Sequence, residues 1–282
     1  MTLLTSHPNP VEQAHWRDAA VCFSSACTTL LLLPALAHAS IEITGAHNNN
    51  ANGSGYTIAN STDTFVVNQG ATFNGNNFNG LLDWTQANVI VNGGSFQHNN
   101  NVGFQVLAGT GNFIRINGGS FSNNVSAGAG GGGLDVYSAA LTVNGGDFSG
   151  NSAYGLGTHS PTIIHGGTIS GNGSVGLIVF DSQTTLSGGT FSGNSRDLGV
   201  SSNSVLYVQG SFDKSGVLTG TGTFTGTLAE GGAAHTFSYF TQSGGRLVLS
   251  AVPEPASAWL LVTGLTGFAG LAWRRRSAVT AA

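Results

Sequence analysis

The chain has 282 residues, 44 of them glycine, with 7% charged and 40% hydrophobic residues and a net charge of −4. So much apolar residue with so little charge excludes a charge-rich disordered chain, and the mildly acidic balance excludes a nucleic-acid partner, which would require a basic face. Cys22 and Cys27 are the only cysteines, so everything after them lacks a disulfide or a cysteine metal ligand.

The first element in chain order is an export signal over residues 1–39. Ala19 to Leu36 is largely apolar, contains Leu30-Leu31-Leu32-Leu33, and is followed by Ala37-His38-Ala39. This is the small-x-small pattern of a signal-peptidase site after a signal helix, and cleavage after Ala39 leaves Ser40 first. The segment before it carries Glu12, Arg17 and Asp18 and so lacks the usual positive excess, as a start codon further downstream would explain. Cys27 precedes the leucines and is not placed as a lipid anchor.

Residues 40–251 form the body, and an internal repeat dominates it. Gly-Gly-x-Phe-like segments stand at Gly93 to Phe96, Gly118 to Phe121, Gly145 to Phe148, Gly166 to Ile169 and Gly188 to Phe191, with weaker copies ending at Phe73 and Phe212. The anchor residue recurs at intervals of 23, 25, 27, 21, 22 and 21, which is the length of a solenoid coil and not a helical period. Three residues after the anchor stand Asn76, Asn99, Asn124, Asn151, Asn172 and Asn194, with Ser215 breaking the series.

Between anchors lie short alternating stretches such as Val102 to Val106, Phe113 to Ile116, Ala140 to Val143 and Val175 to Val179. Three short strands per coil, separated by Gly and Asn turns, predict an all-β right-handed parallel β-helix of about seven coils spaced about 4.8 Å apart. The anchors are expected to stack inside, and the asparagines to form a structural ladder whose amides satisfy one another and the turn backbone. Residues 40–63 are read as a cap on the first coil, and Leu218 to Leu228 with Arg246 to Leu249 as closing strands. The body resembles the right-handed β-helix repeat proteins, a group that includes polysaccharide lyases and hydrolases as well as adhesins, so the fold alone does not decide function.

A β-helix enzyme acting on polysaccharide gathers carboxylates on one face. Asp135, Asp147, Asp181, Asp197 and Asp213 share no phase relative to their anchors; Asp135 and Asp181 come closest, two coils apart. His159 and His165 show no metal-ligand pattern and are read as turn or surface residues, so neither a metal nor a cofactor is expected. Trp84, Tyr137, Tyr154 and Tyr207 are assigned to packing, with stacking on sugar rings as the alternative. The insertion at residues 128–133 is the place where loops would shape a site that the linear register hides.

The last element is a tail at 252–276. Val252-Pro253-Glu254-Pro255 leads into an uncharged apolar run, 256–273, and then into Arg274-Arg275-Arg276. Eighteen helical residues span roughly 27 Å, close to the hydrocarbon thickness of a bilayer, and the arginines sit where a positive-inside anchor belongs. This tripartite tail resembles the PEP-CTERM sorting domain of Gram-negative bacteria. The resemblance implies recognition by a membrane exosortase, processing near the motif, a transient inner-membrane anchor, and release to the cell surface or extracellular polysaccharide of a biofilm. Together with the signal-peptidase site, the leading expectation is a non-catalytic surface or matrix protein associated with exopolysaccharide. A polysaccharide lyase or hydrolase of the β-helix fold is the alternative. An autotransporter passenger is set aside because nothing after the repeats supplies the strands of an outer-membrane barrel.

Overall fold

The computed structural model describes residues 40–251 apart from 60, 108–110 and 127–129. The predicted signal helix, its cleavage residues Ala37 and Ala39, the sorting motif, the apolar span and the arginine cluster all lie outside the described residues. Within them the chain is all-β, a parallel β-solenoid of about seven turns with no helix.

Each coil contributes strands to three walls. In the first wall Thr64–Val67, Asn88–Val91, Phe113–Ile116 and Ala140–Val143 pair in parallel, with Phe65, Val89, Ile114 and Leu141 in register. The second wall stacks Ser95–Gln97, Ser120–Ser122, Asp147–Ser149, Thr168–Ser170 and Thr190–Ser192. The third runs through Tyr56–Ile58, Leu81–Asp83, Phe104–Val106, Leu134–Val136, Tyr154–Thr158, Val175–Phe180 and Leu198–Ser201. Strand alternation then decides the core: Val89, Val91, Ile114 and Ile116 are fully buried, while Ile90 and Arg115 point outward.

The anchors stack as a column. Phe73, Phe96, Phe121 and Phe148 are fully buried, with successive rings nearly parallel and centroids 4.6, 4.6 and 4.9 Å apart. That spacing is set by the strand separation of the walls, so the backbone ladder and the ring stack enforce one another. Burial of each such side chain contributes roughly 1.5–3 kcal/mol.

The paired glycines before each anchor have separate reasons. The second of each pair, Gly94, Gly119, Gly146, Gly167 and Gly189, has φ between +97° and +111°. The first lies against the coil before it: a Cβ on Gly118 would sit 2.9 Å from the Asn92 carbonyl oxygen, and one on Gly145 2.8 Å from that of Asn117.

Both ends depart from the simple reading. Residues 40–63 form a first coil rather than a cap, because Ser40–Ile43 pairs in parallel with Thr64–Val67 and Tyr56–Ile58 with Leu81–Asp83. At the other end Thr221–Leu228 turns antiparallel, pairing with His235–Thr241 and with the end of Val205–Phe212. Phe224 and Phe237 are buried there, and the Phe237 ring meets Phe191 edge-on at 5.6 Å, ending the column. Arg246–Ser250 continues the first wall in parallel beyond Val205–Phe212.

Candidate functional site

Two polar constructions occupy the body, and they differ in how their hydrogen bonds are completed. The first is the asparagine series at the turn between the second and third walls. The residue before each asparagine (Gly75, His98, Asn123, Gly150, Gly171, Gly193) is left-handed, with φ from +56° to +67°, which turns the amide inward. Nδ2 of Asn76, Asn99, Asn124, Asn151 and Asn172 donates to Oδ1 of the asparagine one coil on, at 2.9, 2.9, 2.9, 3.0 and 2.9 Å.

Each Oδ1 also accepts the backbone N–H of the preceding asparagine, at 3.1 Å from Asn99 to Asn124 for example. From Asn99 on, the second Nδ2 proton goes to the carbonyl of an earlier anchor, as from Asn124 to Phe96 at 3.0 Å, and that of Asn76 to the His47 carbonyl. Amides aligned head to tail add their dipoles, so the positive end of the row falls at Asn194. There Asn194 Nδ2 donates to Asp197 Oδ1 at 3.2 Å, and Asp197 Oδ2 accepts from Ser238 N–H at 2.9 Å and its hydroxyl at 3.1 Å. Asp197 therefore closes the ladder instead of facing a substrate, and Ser215 lies beyond its end.

A second, exposed ladder runs the opposite way and was missed in the sequence. Asn144 donates to Asn117 and Asn117 to Asn92, both at 2.8 Å, Asn92 to Asn68 at 3.1 Å, and Asn68 to Glu42 at 3.5 Å. The available signal was the asparagine immediately before Gly93, Gly118 and Gly145.

In later coils that position holds His165 and Ser187, which meet Glu230. His165 Nδ1 lies 2.7 Å from Glu230 Oε1, Ser187 Oγ donates to the same oxygen at 2.8 Å, and Oγ lies 3.3 Å from Nδ1. The His165 hydrogen bond, with help from Ser187, holds the Glu230 carboxyl below its ordinary range. A nucleophile relay needs the serine and the carboxylate on different ring nitrogens. Here both use Nδ1, so the cluster is a surface tie between the repeat and the closing segment.

The other construction lies on the outer face of the third wall. Gln105, Asp135 and Gly157 occupy one outward row, one strand apart. Asp135 is 3% exposed, and its Oδ2 accepts the Tyr154 hydroxyl at 3.0 Å and Gln105 Nε2 at 3.4 Å. Its Oδ1 is buried with no donor at full hydrogen-bond geometry; His159 Nε2 lies 4.0 Å away, and the Tyr137 hydroxyl acts on the carboxyl to lower it. Burial pushes the Asp135 carboxyl up to about 6, against the lowering effect of its hydrogen bonds, and burial next to Asp135 raises the Tyr154 and Tyr137 phenols.

Gly157 lets the Tyr154 ring and the Asp135 carboxyl pack close over its backbone. A Cβ there would lie 3.0 Å from Asp135 Oδ1 and 2.9 Å from the Tyr154 ring, and one on Gly132 would strike that ring at 2.2 Å. Beside them lies a depression of about 330 Å³, lined in part by Gly130, Asp135, Tyr137, Tyr154, His159 and Phe180. Tyr137 and His159 stack at 3.9 Å and His159 and Phe180 at 4.6 Å, both 14° from parallel. His159 thus belongs to an aromatic row, not to an isolated turn, and burial lowers its basicity.

Asp181 is not in the Asp135 row: Asp135 aligns through Gly157 with Ile178, three positions before Asp181, which is exposed. Asp147 is held by the Ser149 hydroxyl of its own strand at 3.0 Å, and Asp213 by the N–H of Thr225 in the antiparallel strand Thr221–Leu228 at 2.8 Å. Tyr207 stands on the first wall opposite Thr185. Among the described residues no group of three His, Cys, Asp or Glu could hold a metal ion.

The tail decides more than the body does. Residues 251–276 match the PEP-CTERM protein-sorting motif. The motif implies an exported protein that an exosortase processes and whose destination is the cell surface or the extracellular space. It spans only the C-terminal end, so the body is described by its own geometry. No curated protein and no solved structure matches the chain.

Proposed function

We propose that the chain is a non-catalytic cell-surface or extracellular-matrix protein that associates with exopolysaccharide. The observation that carries this reading is the PEP-CTERM motif following a solenoid whose polar groups are spent largely on one another. In this proposal a signal peptidase cuts between Ala39 and Ser40, and the apolar run 256–273 with Arg274, Arg275 and Arg276 holds the protein transiently in the inner membrane. Exosortase then acts near Val252-Pro253-Glu254-Pro255.

The test compares wild type with Glu254→Ala in a host that has an exosortase, following mass and location. Trimming near Pro255 and recovery of wild type in the polysaccharide matrix, with the variant left in the membrane, is the expected result; equal membrane retention of both overturns it. An enzymatic reading draws support from the raised carboxyl of Asp135 beside Tyr154. New reducing ends or unsaturated sugars released from polysaccharide by wild type, and absent with Asp135→Asn, would favour that second reading over the first.

A further inference from the structure

The body ends in a fork. The strand Arg246–Ser250 runs beside Val205–Phe212 as far as the pair of Gln209 with Ser250, after which Gly210, Ser211 and Phe212 turn to Thr221–Leu228 instead. On its other flank it pairs antiparallel with Gly216–Leu218, Gly216 standing opposite Leu249. Residues 213–215 join these two flanks, and the chain leaves the body between them at Ala251. A groove of about 480 Å³ opens there, lined in part by Phe212, Lys214, Leu228, Leu249 and Ala251. Leu228 and Leu249 are buried, and Lys214 is exposed. Ala251 is also the first residue of the match to the sorting motif, so the groove stands where the tail begins.

We infer that Val252-Pro253-Glu254-Pro255 of the same chain occupies this groove, with the Glu254 carboxylate paired to the Lys214 ammonium, and that the motif is withheld from exosortase until it leaves. The inference rests on the sorting role proposed above and adds to it a resting place for the motif on the folded body. Three observations select this occupant. The first is reach. Glu254 follows Ala251 by three residues, and three extended residues cover about 10 Å. A segment that starts in the groove's own wall stays close to it, so contacts too weak to hold a free peptide hold this one.

The second is charge. Lys214 is the only lysine of the chain, and Glu254 is the only Asp or Glu after Glu230. Lys214 Nζ donates to the Thr223 carbonyl, which leaves two of the three ammonium protons for a partner. Among the described residues the ion pairs are those of His159, His165 and His235, and the neighbouring Asp213 accepts from the Thr225 N–H, so none of them supplies Lys214 with a carboxylate. The third is stiffness. Pro253 and Pro255 fix their own φ and bias Val252 and Glu254 toward extended backbone, so docking costs the segment little freedom. Neither proline has an N–H that needs an acceptor, and the side chains of Phe212, Leu228 and Leu249 offer apolar surface to Val252 and the proline rings.

The test is carbodiimide coupling of the full-length protein in detergent, which joins an amine to a carboxylate only where the two touch, followed by peptide mass mapping. Wild type should give Lys214 joined to Glu254 within one chain. Lys214→Glu should abolish that product, and Lys214→Glu combined with Glu254→Lys should restore a link between the same two positions. Because Lys214 is exposed, the thermal transition of Lys214→Glu should match that of wild type. In a host that has an exosortase, Lys214→Ala should be trimmed about threefold faster than wild type, since the docked fraction is released.

No link to Glu254, or Lys214 coupled only to Asp213 or Glu230, overturns the docking. A link from Lys214 to Glu254 of a second chain overturns it too, because another copy then fills the groove. Trimming of Lys214→Ala at the wild-type rate or slower overturns the withholding. The two readings fail separately: a Lys214 to Glu254 link in a protein that exosortase never trims keeps the docking and removes the sorting role, whereas normal trimming without the link does the reverse.

Discussion

The asparagine ladder, at the turn that enters the third wall, and Asp135, on that wall, are both buried and polar, yet they end in opposite states. In the ladder every amide repeats one coil later, so the donor left over by one asparagine is the donor that the next one accepts. Asp135 has no such successor: the next outward position is Gly157, and one carboxylate oxygen stays without a donor at full hydrogen-bond geometry. Repetition cancels polar groups in pairs, whereas a polar residue that occurs once leaves a remainder, and here that remainder is a buried carboxyl whose proton affinity is raised. The difference separates polar residues whose hydrogen bonds the repeat completes from those it leaves incomplete.

The strongest way to sharpen this contrast is to break the ladder in its middle. Asn124→Ala strands Asn99 Nδ2, the Asn99 N–H and the Phe96 carbonyl, which meet no water because Asn124 is fully buried. At about 1–3 kcal/mol for each buried group left unpaired, partly offset by relaxation, a loss of about 4 kcal/mol is expected in chemical denaturation. Less than about 1 kcal/mol would mean that the ladder contributes no more than an ordinary surface row.

The pH dependence comes next. Burial raises both Asp83, whose Oδ2 is also without a partner, and Asp135 to about 6 from an ordinary value near 4. The folded state then binds more protons than the unfolded one between about pH 4 and 6, so stability falls as pH rises through that window. Each group contributes on the order of 2–3 kcal/mol to this change. Glu230, held below its usual range, acts in the opposite direction. Asp83 shares an inward row with Ile58 and Val106. Asp83→Val should therefore flatten the profile and raise the melting temperature at neutral pH relative to wild type. An unchanged slope would show that Asp83 is not held protonated in the fold.

The smallest effect is expected on the exposed ladder. Asn117→Ala removes one acceptor and one donor from a row open to solvent, where water replaces both. A change within about 0.5 kcal/mol is expected. A loss comparable with that of Asn124→Ala would erase the distinction between buried and exposed repetition.

Much of the solenoid was legible in the sequence because it is periodic. A residue that recurs at every coil must face the same way each time, so the Phe anchors announced the column and Asn76 to Asn194 the row beside it. The Gly-Gly pairs marked the turn, although their two separate reasons, left-handed φ and close contact with the previous coil, needed coordinates. The exposed ladder ending at Asn144 is equally periodic, its signal being the asparagine just before each of Gly93, Gly118 and Gly145. The closing segment 216–250 was legible only as strands, since its antiparallel pairing ends the repeat.

The sequence by itself determined the tail, because its motif, apolar run and arginines are contiguous and are recognised as a linear signal. It also determined the coil, because period is a property of the chain. Only the tertiary structure decided which single residues meet: Asp135 with Tyr154 and Gln105, His159 between Tyr137 and Phe180, Asp197 at the end of the asparagine row. The Asp135 contacts join residues 19 and 30 positions apart, and Asp197 ties the row to Ser238, 41 positions on, with offsets from the anchors that differ, since coils of 21 to 27 residues insert their extra length at different corners. Phase counted along the chain is lost at each insertion, and hydrogen-bonded strand pairing between coils restores it.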